Sequence, residues 1–268
     1  MTAVFDFHHG NSPLLISVPH DGREVPDGIR ARMTDAGRGL PDTDWHVAKL
    51  YDFARSLGAS MLVANYSRYV VDLNRPPDDG SLYPGQLATG ICPAKTFAGE
   101  PIYRAGAGLA RDEQARRIDD YWRPYHAQIA ASLDELRSAH GYALLWDAHS
   151  IPSRVPSLFD GELPVLNLGS FDRASAGPGI IDAVVAVAGN SGYEFVCDGR
   201  FKGGYITRHY GAPASGVHAL QLEIAQRAYL DERSGEFDNA KADRLRGMLA
   251  AMLEAMQVAA WHGRDPAP

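Results

Sequence analysis

Leu14-Leu15-Ile16-Ser17-Val18-Pro19-His20-Asp21-Gly22 is a short, almost continuous apolar run that stops in a proline, a histidine, an acid and a glycine. A run this short, closed by such residues, reads as a buried strand rather than a helix. The same order returns in Ala143-Leu144-Leu145-Trp146, followed by Asp147-Ala148-His149-Ser150. Two histidines therefore stand beyond the carboxyl ends of two apolar strands, where open α/β sheets collect their ligands. Working outward, residues 60–64, 69–73, 165–168 and 218–224 read as further strands. Helical patterns cover residues 45–57, 180–188 and 240–261. Thr43 or Asp44 is positioned to cap the first of these helices and Gly58 to stop it. Residues 111–139 read as a helical region interrupted or kinked near Pro124. The alternation of strand and helix predicts an α/β fold of three layers, α/β/α, with a parallel or mixed central sheet, formed by one domain over residues 1–268.

The bulk properties narrow the function. With 268 residues, 45% of them hydrophobic, the chain can bury a sizeable core. A formal net charge of -7 argues against nonspecific binding to nucleic acid or anionic membranes, because both need a basic surface. An anionic ligand must then meet locally placed arginines. The two cysteines, Cys92 and Cys197, are far apart and in no metal-finger spacing. They support neither a disulfide framework nor a thiolate metal site, and a reducing cytoplasm fits best. The opening MTAVFDFHHG lacks the basic start and apolar core of an export signal, and no apolar stretch reaches the ~18 residues of a membrane span. No internal repeat is visible, and the Pro/Ala tail at 265–268 is expected to fray.

The polar residues at the strand ends carry the chemistry. His20 and His149 are neutral imidazole donors suited to zinc, although a strand-end histidine also serves as a hydrogen-bonded structural residue. A catalytic zinc takes three protein ligands, so a carboxylate is wanted; Asp44, Asp21 and Glu24 are the choices, and His46 competes with them. Glu24 is one residue too late for an H-x-x-E motif. Glu223 ends the apolar stretch His218-Ala219-Leu220-Gln221-Leu222-Glu223, and a buried carboxylate there needs a cation, a metal or a proton. Arg68 with Asp72-Leu73-Asn74-Arg75-Pro76 offers guanidinium and amide donors for a carboxylate or an oxyanion; the plainer reading is a solvated turn with a local Asp–Arg pair. Arg208, in a glycine-flanked loop, and Arg154, just after the His149 segment, are weaker candidates. His8, His9, His126, His140 and His262 have no comparable setting. There is no G-x-G-x-x-G, Walker A or G-x-S-x-G motif.

Taken together, Ser17-Val18-Pro19-His20-Asp21-Gly22, Asp42-Thr43-Asp44-Trp45-His46, Val71-Asp72-Leu73-Asn74-Arg75-Pro76, Asp147-Ala148-His149-Ser150 and His218 to Glu223 resemble the N-formylglutamate amidohydrolase family over nearly the whole chain. The Asp-x-Asn-Arg segment and the late glutamate are also similar to those of aspartoacylase and the zinc carboxypeptidases. The resemblance implies a zinc-carboxypeptidase-like fold and one zinc ion per chain on His20 and His149, with Asp44 standing in for the missing H-x-x-E carboxylate. It also implies Glu223 as proton shuttle, Arg68, Asn74 and Arg75 as polarising or substrate-binding donors, and Arg154 and Arg208 as carboxylate clamps. The implied reaction is hydrolysis of N-formyl-L-glutamate to formate and L-glutamate, the last step of one histidine-degradation route. The partner is then a small acidic N-acyl amino acid. Rival readings are a hydrolase of another N-acyl amino acid, a small zinc carboxypeptidase or peptidoglycan amidase on the same scaffold, and a noncatalytic binder of acidic ligands.

Overall fold

The apolar runs assemble side by side. In the computed structural model, which describes residues 2–80, 89–110 and 112–262, seven strands form one sheet: β1 (Phe5–His8), β2 (Leu14–Val18), β3 (Ser60–Ala64), β4 (Ala143–Ile151), β5 (Leu166–Gly169), β6 (Phe195–Cys197) and β7 (Val217–Ala225). Their order is β1-β3-β2-β4-β7-β5-β6. The four central strands β3, β2, β4 and β7 run parallel. β1 joins β3 and β5 joins β7 antiparallel, so the sheet is mixed.

Among the described residues eight α-helices accompany the sheet: α1 (Asp27–Arg30), α2 (Asp35–Arg38), α3 (Val47–Leu50), α4 (Glu113–Arg117), α5 (Arg123–His140), α6 (Pro178–Gly189), α7 (Tyr205–Tyr210) and α8 (Asn239–His262). Alternate residues of a strand face opposite sides, and both sides are covered. Leu14, Ile16, Val18, Leu144, Trp146, Leu220 and Leu222 pack against α3, α6 and α8. Leu15, Leu145 and Ala219 pack on the other side, against α5 and Ile206 of α7. This is the expected three-layer α/β/α arrangement. Among the described residues no helix is long and apolar enough to cross a membrane.

Two local expectations are corrected. Residues 69–73 are an irregular turn, not a strand. Their carbonyls are taken by side chains from the helical layer: Arg117 donates to Tyr69 and Val70, and His126 Nε2 lies 2.8 Å from the Leu73 oxygen. Residues 45–57 form no continuous helix. The stretch divides into α3 and a 3-10 segment, Asp52–Leu57, stopped by Gly58 at φ 72°. Asp21 supplies the cap, its carboxylate accepting from His46 N at 3.1 Å and Ala48 N at 3.0 Å, so neither Thr43 nor Asp44 does so. The helical region over residues 113–140 is interrupted just ahead of Pro124 by a widened π turn, Ile118–Trp122, which agrees with the expectation. A proline lacks an N–H and presses on the carbonyl four residues back, and the extra width of the turn absorbs both. Arg111 and the 265–268 tail lie outside the described residues.

Candidate metal and active site

β4 runs on past Trp146 to Ile151, so His149 stands within the strand rather than after it. This extension decides the geometry. On the α5 side of the sheet the apolar row Leu15, Leu145, Ala219 gives way, two residues on, to Ser17, Asp147 and Gln221, and then to His149 beside Glu223. A period of two puts all of these on one face. The apolar half of that face packs on helices, and the polar half forms the floor of a cleft at the carboxyl ends of the parallel strands.

His20 and Asp44 reach the same place from loops. The His20 carbonyl accepts the Asp44 N–H at 3.1 Å, and the loop after His20 lies so tightly on the chain at Tyr66 that a Cβ on Gly22 would stand 2.4 Å from the Tyr66 oxygen. Asp44 Oδ2 accepts Ser150 N at 3.0 Å and lies 3.0 Å from His149 Nδ1 and 3.8 Å from His20 Nδ1. The two imidazole rings are 4.9 Å apart. One donor atom each from His20, Asp44 and His149 fall within 4.8 Å of one another, and all three residues are buried, so the group can hold a metal ion. The competing carboxylates are elsewhere: Asp21 caps α3, and Glu24 is exposed. His46 Nε2 lies 3.3 Å from the Gly235 oxygen.

The outer nitrogens of both histidines are occupied. His20 Nε2 is 2.8 Å from Asp72 Oδ1, and His149 Nε2 is 3.0 Å from Asp147 Oδ2. That leaves each Nδ1 facing Asp44, the carboxylate–histidine arrangement that orients metal ligands. The charges agree. Three fully or nearly fully buried carboxylates contact these imidazoles, and one buried guanidinium, Arg68, faces them. Two negative charges remain if the imidazoles are neutral, and a divalent cation offsets them. Burial alone would raise the Asp44 and Asp72 carboxyls, yet Asp44 is held low by the histidines and Asp72 by Arg68 and His20. Burial disfavours a charged His149, but Asp147 and Asp44 overcome it and pull the imidazole well above its ordinary value. The pocket attracts positive charge.

Around this group lies a cleft of about 640 Å³, its open mouth included, lined among others by Arg68, Asn74, Arg75, Arg200, Gln221 and Glu223. Arg68 Nη2 is 2.6 Å from Asp72 Oδ2, while its buried Nε finds no hydrogen-bond partner among the described residues. Glu223, the sheet neighbour of His149, is pushed up to about 8 by burial, with the Asp44 charge adding to the rise and His149 and Arg68 opposing it. Arg75 holds the Thr89 oxygen at 3.0 Å.

Arg154 and Arg208 are not brought to the cleft. Arg154 is exposed and paired with Glu162. Arg208 donates to the Gly203 oxygen at 2.8 Å and lies over the Phe171 ring. Sequence reasoning missed Arg200, whose irregular loop carries no periodic signal, gave no role to Asp147 or Gln221, and gave Asp72 only a place in a local Asp–Arg pair, which is present with Arg68 but buried rather than solvated. Asp147 and Gln221 could have been found by stepping back two residues from His149 and Glu223.

Residues 12–230 match the sequence profile of the N-formylglutamate amidohydrolase family. The chain belongs to that family. It is 52% identical to an N-formylglutamate deformylase of Pseudomonas putida over 233 residues, 87% of each chain. An N-formylglutamate deformylase of Pseudomonas aeruginosa is 49% identical over 269 aligned residues, 99% of each chain. The crystal structure of an N-formylglutamate amidohydrolase from Ralstonia eutropha superposes with a TM-score of 0.81 at 26% identity, covering 99% of this chain and 100% of that one. A gene product of Agrobacterium tumefaciens shares the fold, with a TM-score of 0.71 at 17% identity over 96% of this chain and 97% of that one. As a member of that family the chain is an amide-hydrolysing enzyme, and the cleft at the strand ends is its candidate site.

Proposed function

We propose that this chain hydrolyses N-formyl-L-glutamate to formate and L-glutamate, the closing step of a histidine-degradation route, with one zinc ion held by His20, Asp44 and His149. The observation that carries this reading is the convergence of two imidazoles and one carboxylate at the floor of an arginine-lined cleft, each imidazole fixed from behind by a buried aspartate. Zinc, when bound, supplies a Lewis acid that polarises a carbonyl and makes water more acidic.

The remaining roles belong to the chain itself. Glu223 is buried beside His149 in the cleft, where its carboxyl is placed to take a proton from water and return one to the leaving nitrogen. Arg68 lines the cleft and is anchored on Asp72, so its guanidinium is oriented before reaction to stabilise a developing oxyanion. The substrate is a dianion, and the protein carries a net charge of -7. Its carboxylates therefore need local cations, for which Arg75 and Arg200 are the cleft-lining candidates.

The test combines zinc analysis of the purified chain with formate release. About one zinc per chain is expected, with faster turnover of N-formyl-L-glutamate than of N-acetyl-L-glutamate or a neutral N-formyl amino acid. His20→Ala and His149→Ala should each lose both zinc and activity while staying folded by circular dichroism. Full zinc retention in either variant, or preference for the acetyl compound, would overturn the reading.

A further inference from the structure

Asn74 belongs to a segment whose donors were expected to bind substrate, yet its amide is already engaged. The side chain is 5% exposed. Oδ1 accepts the backbone N–H of Ile206 at 2.8 Å. Nδ2 is 3.0 Å from Asp147 Oδ2, 2.8 Å from His149 Nε2 and 3.5 Å from Gln221 Oε1. An amide has two N–H donors, and the buried Asp147 carboxylate and Gln221 amide oxygen use both; His149 Nε2, which itself donates to Asp147, does not accept. A substrate carboxylate only accepts, so it finds no donor left here.

The surroundings are built to this amide. Gln221 Oε1 accepts Gly204 N at 2.6 Å, and a Cβ on Gly204 would stand 2.4 Å from Asn74 Nδ2. The Gly203-Gly204 pair, which matches no nucleotide motif, thus lets the chain ahead of α7 close on the Asn74 side chain. Polarity fixes the residue type as well: the Ile206 N–H needs an acceptor and the Asp147 carboxylate needs a donor, which an amide meets and a carboxylate does not. On the other side of the segment, the Asn74 N–H donates to Asp72 Oδ1 at 2.9 Å, the oxygen that faces His20 Nε2.

We propose that Asn74 is a positioning residue, not a substrate-binding one: residues 72–74 hold the outer nitrogens of both histidines, His20 through Asp72 and His149 through the Asn74–Asp147 contact, with Gln221 and Gly204 locking the amide in place. This rests on the zinc deformylase reading. Removing Asn74 takes a donor from Asp147 and orphans the Ile206 N–H, so the effect must appear in metal retention and in turnover, not in substrate affinity.

The experiment uses zinc-loaded wild type, Asn74→Ala, Asn74→Asp and Gly204→Ala, the last of which crowds the amide without removing it. Zinc loss to a chelator, kcat and KM are measured on N-formyl-L-glutamate and on a neutral N-formyl amino acid. Loss of a group behind a metal ligand typically costs about 10–100-fold in metal affinity or activity. All three variants should lose zinc faster, by roughly that factor, and kcat should fall alike on both substrates with KM nearly unchanged. A KM rise of about tenfold or more confined to N-formyl-L-glutamate, with zinc retained, would make Asn74 a substrate-binding residue and overturn the proposal. Should Asn74→Ala fail to fold, Gly204→Ala decides the matter: unchanged zinc loss and kcat in it overturn the proposal too. A wild-type chain that holds no zinc overturns both readings, whereas an active zinc-loaded wild type with unaltered variants overturns this one alone.

Discussion

Among the arginines that line the cleft, Arg68 pairs with Asp72, Arg75 donates to the Thr89 oxygen and Arg200 Nε to the Leu158 oxygen at 2.6 Å; under the proposed function, Arg75 and Arg200 are the candidates to meet the substrate carboxylates. Arg200→Ala should raise KM for N-formyl-L-glutamate by roughly 10- to 100-fold, about 1.4–3 kcal/mol, the lower part of the range for a charge pair lost from an interface. A neutral N-formyl amino acid should change by less than about threefold, and Arg154→Ala, on the outer surface, should change neither. Steady-state kinetics on both substrates check this, and an equal rise on the two would remove Arg200 from carboxylate recognition. The contrast between Arg200 and Arg154 also marks what single residues reveal in a sequence. His149 and Glu223 are conspicuous because they interrupt apolar strands, and His20 because it ends one. Asp147 and Gln221 share those strand faces, but a pattern of faces does not say which buried groups touch. Arg200 follows Cys197-Asp198-Gly199 in a loop without period, so nothing local separates it from Arg154 or Arg208.

At the scale of elements, the turn over residues 69–75 is held from the helical layer. Trp122 Nε1 donates to the Arg75 oxygen at 3.0 Å, and Arg117 donates to Tyr69 and Val70. Arg117 is itself fixed by Glu113, which also pairs with Arg32. The apolar stretch 69–73 imitates a strand because the side chains that take its carbonyls, Arg117 and His126, lie some fifty residues away, beyond any local window. In the same way, 45–57 imitates one helix, while residues 43–46 are diverted to aim Asp44 at the histidines. The Glu113 clamp has a pH signature. Burial pushes its carboxyl up, but hydrogen bonds from Arg32 and Arg117 outweigh burial and bring it down to about 2. A carboxyl lowered in the folded state stabilises fully above its unfolded value, near 4.5, and this stabilisation disappears as pH falls towards 2. Glu113→Gln should therefore reduce stability at pH 6–7 by roughly 1–3 kcal/mol, the scale of charge-assisted hydrogen bonds, with the gap to wild type narrowing below about pH 4.5. Urea unfolding at several pH values measures it, and a gap that widens on acidification would contradict the assignment.

At the scale of the whole molecule, alternating strands and helices made the three layers legible, since that rhythm has few solutions. The short edge strands β1 and β6 were not legible, because half-buried stretches of three or four residues give too weak a pattern. The antiparallel attachment of β5 to β7 was likewise invisible, being a matter of long-range pairing. One global property follows from the site's charge. His20, Asp44 and His149 come from a loop after β2, a loop before α3 and the middle of β4, so an ion held by them ties together segments that separate on unfolding. A ligand bound by the folded state alone stabilises it by about 4 kcal/mol at a thousand times its Kd. For a chain of this size each kcal/mol shifts Tm by roughly 2–4 °C, so stripping zinc with a chelator should lower Tm by on the order of 10 °C, and zinc added back should restore it. His149→Ala should melt at the same temperature with and without chelator, because it has no ion to lose. Calorimetry with zinc quantified in each sample distinguishes the outcomes: if wild type carries stoichiometric zinc but its Tm is indifferent to removal, the ion sits somewhere other than between β2, α3 and β4.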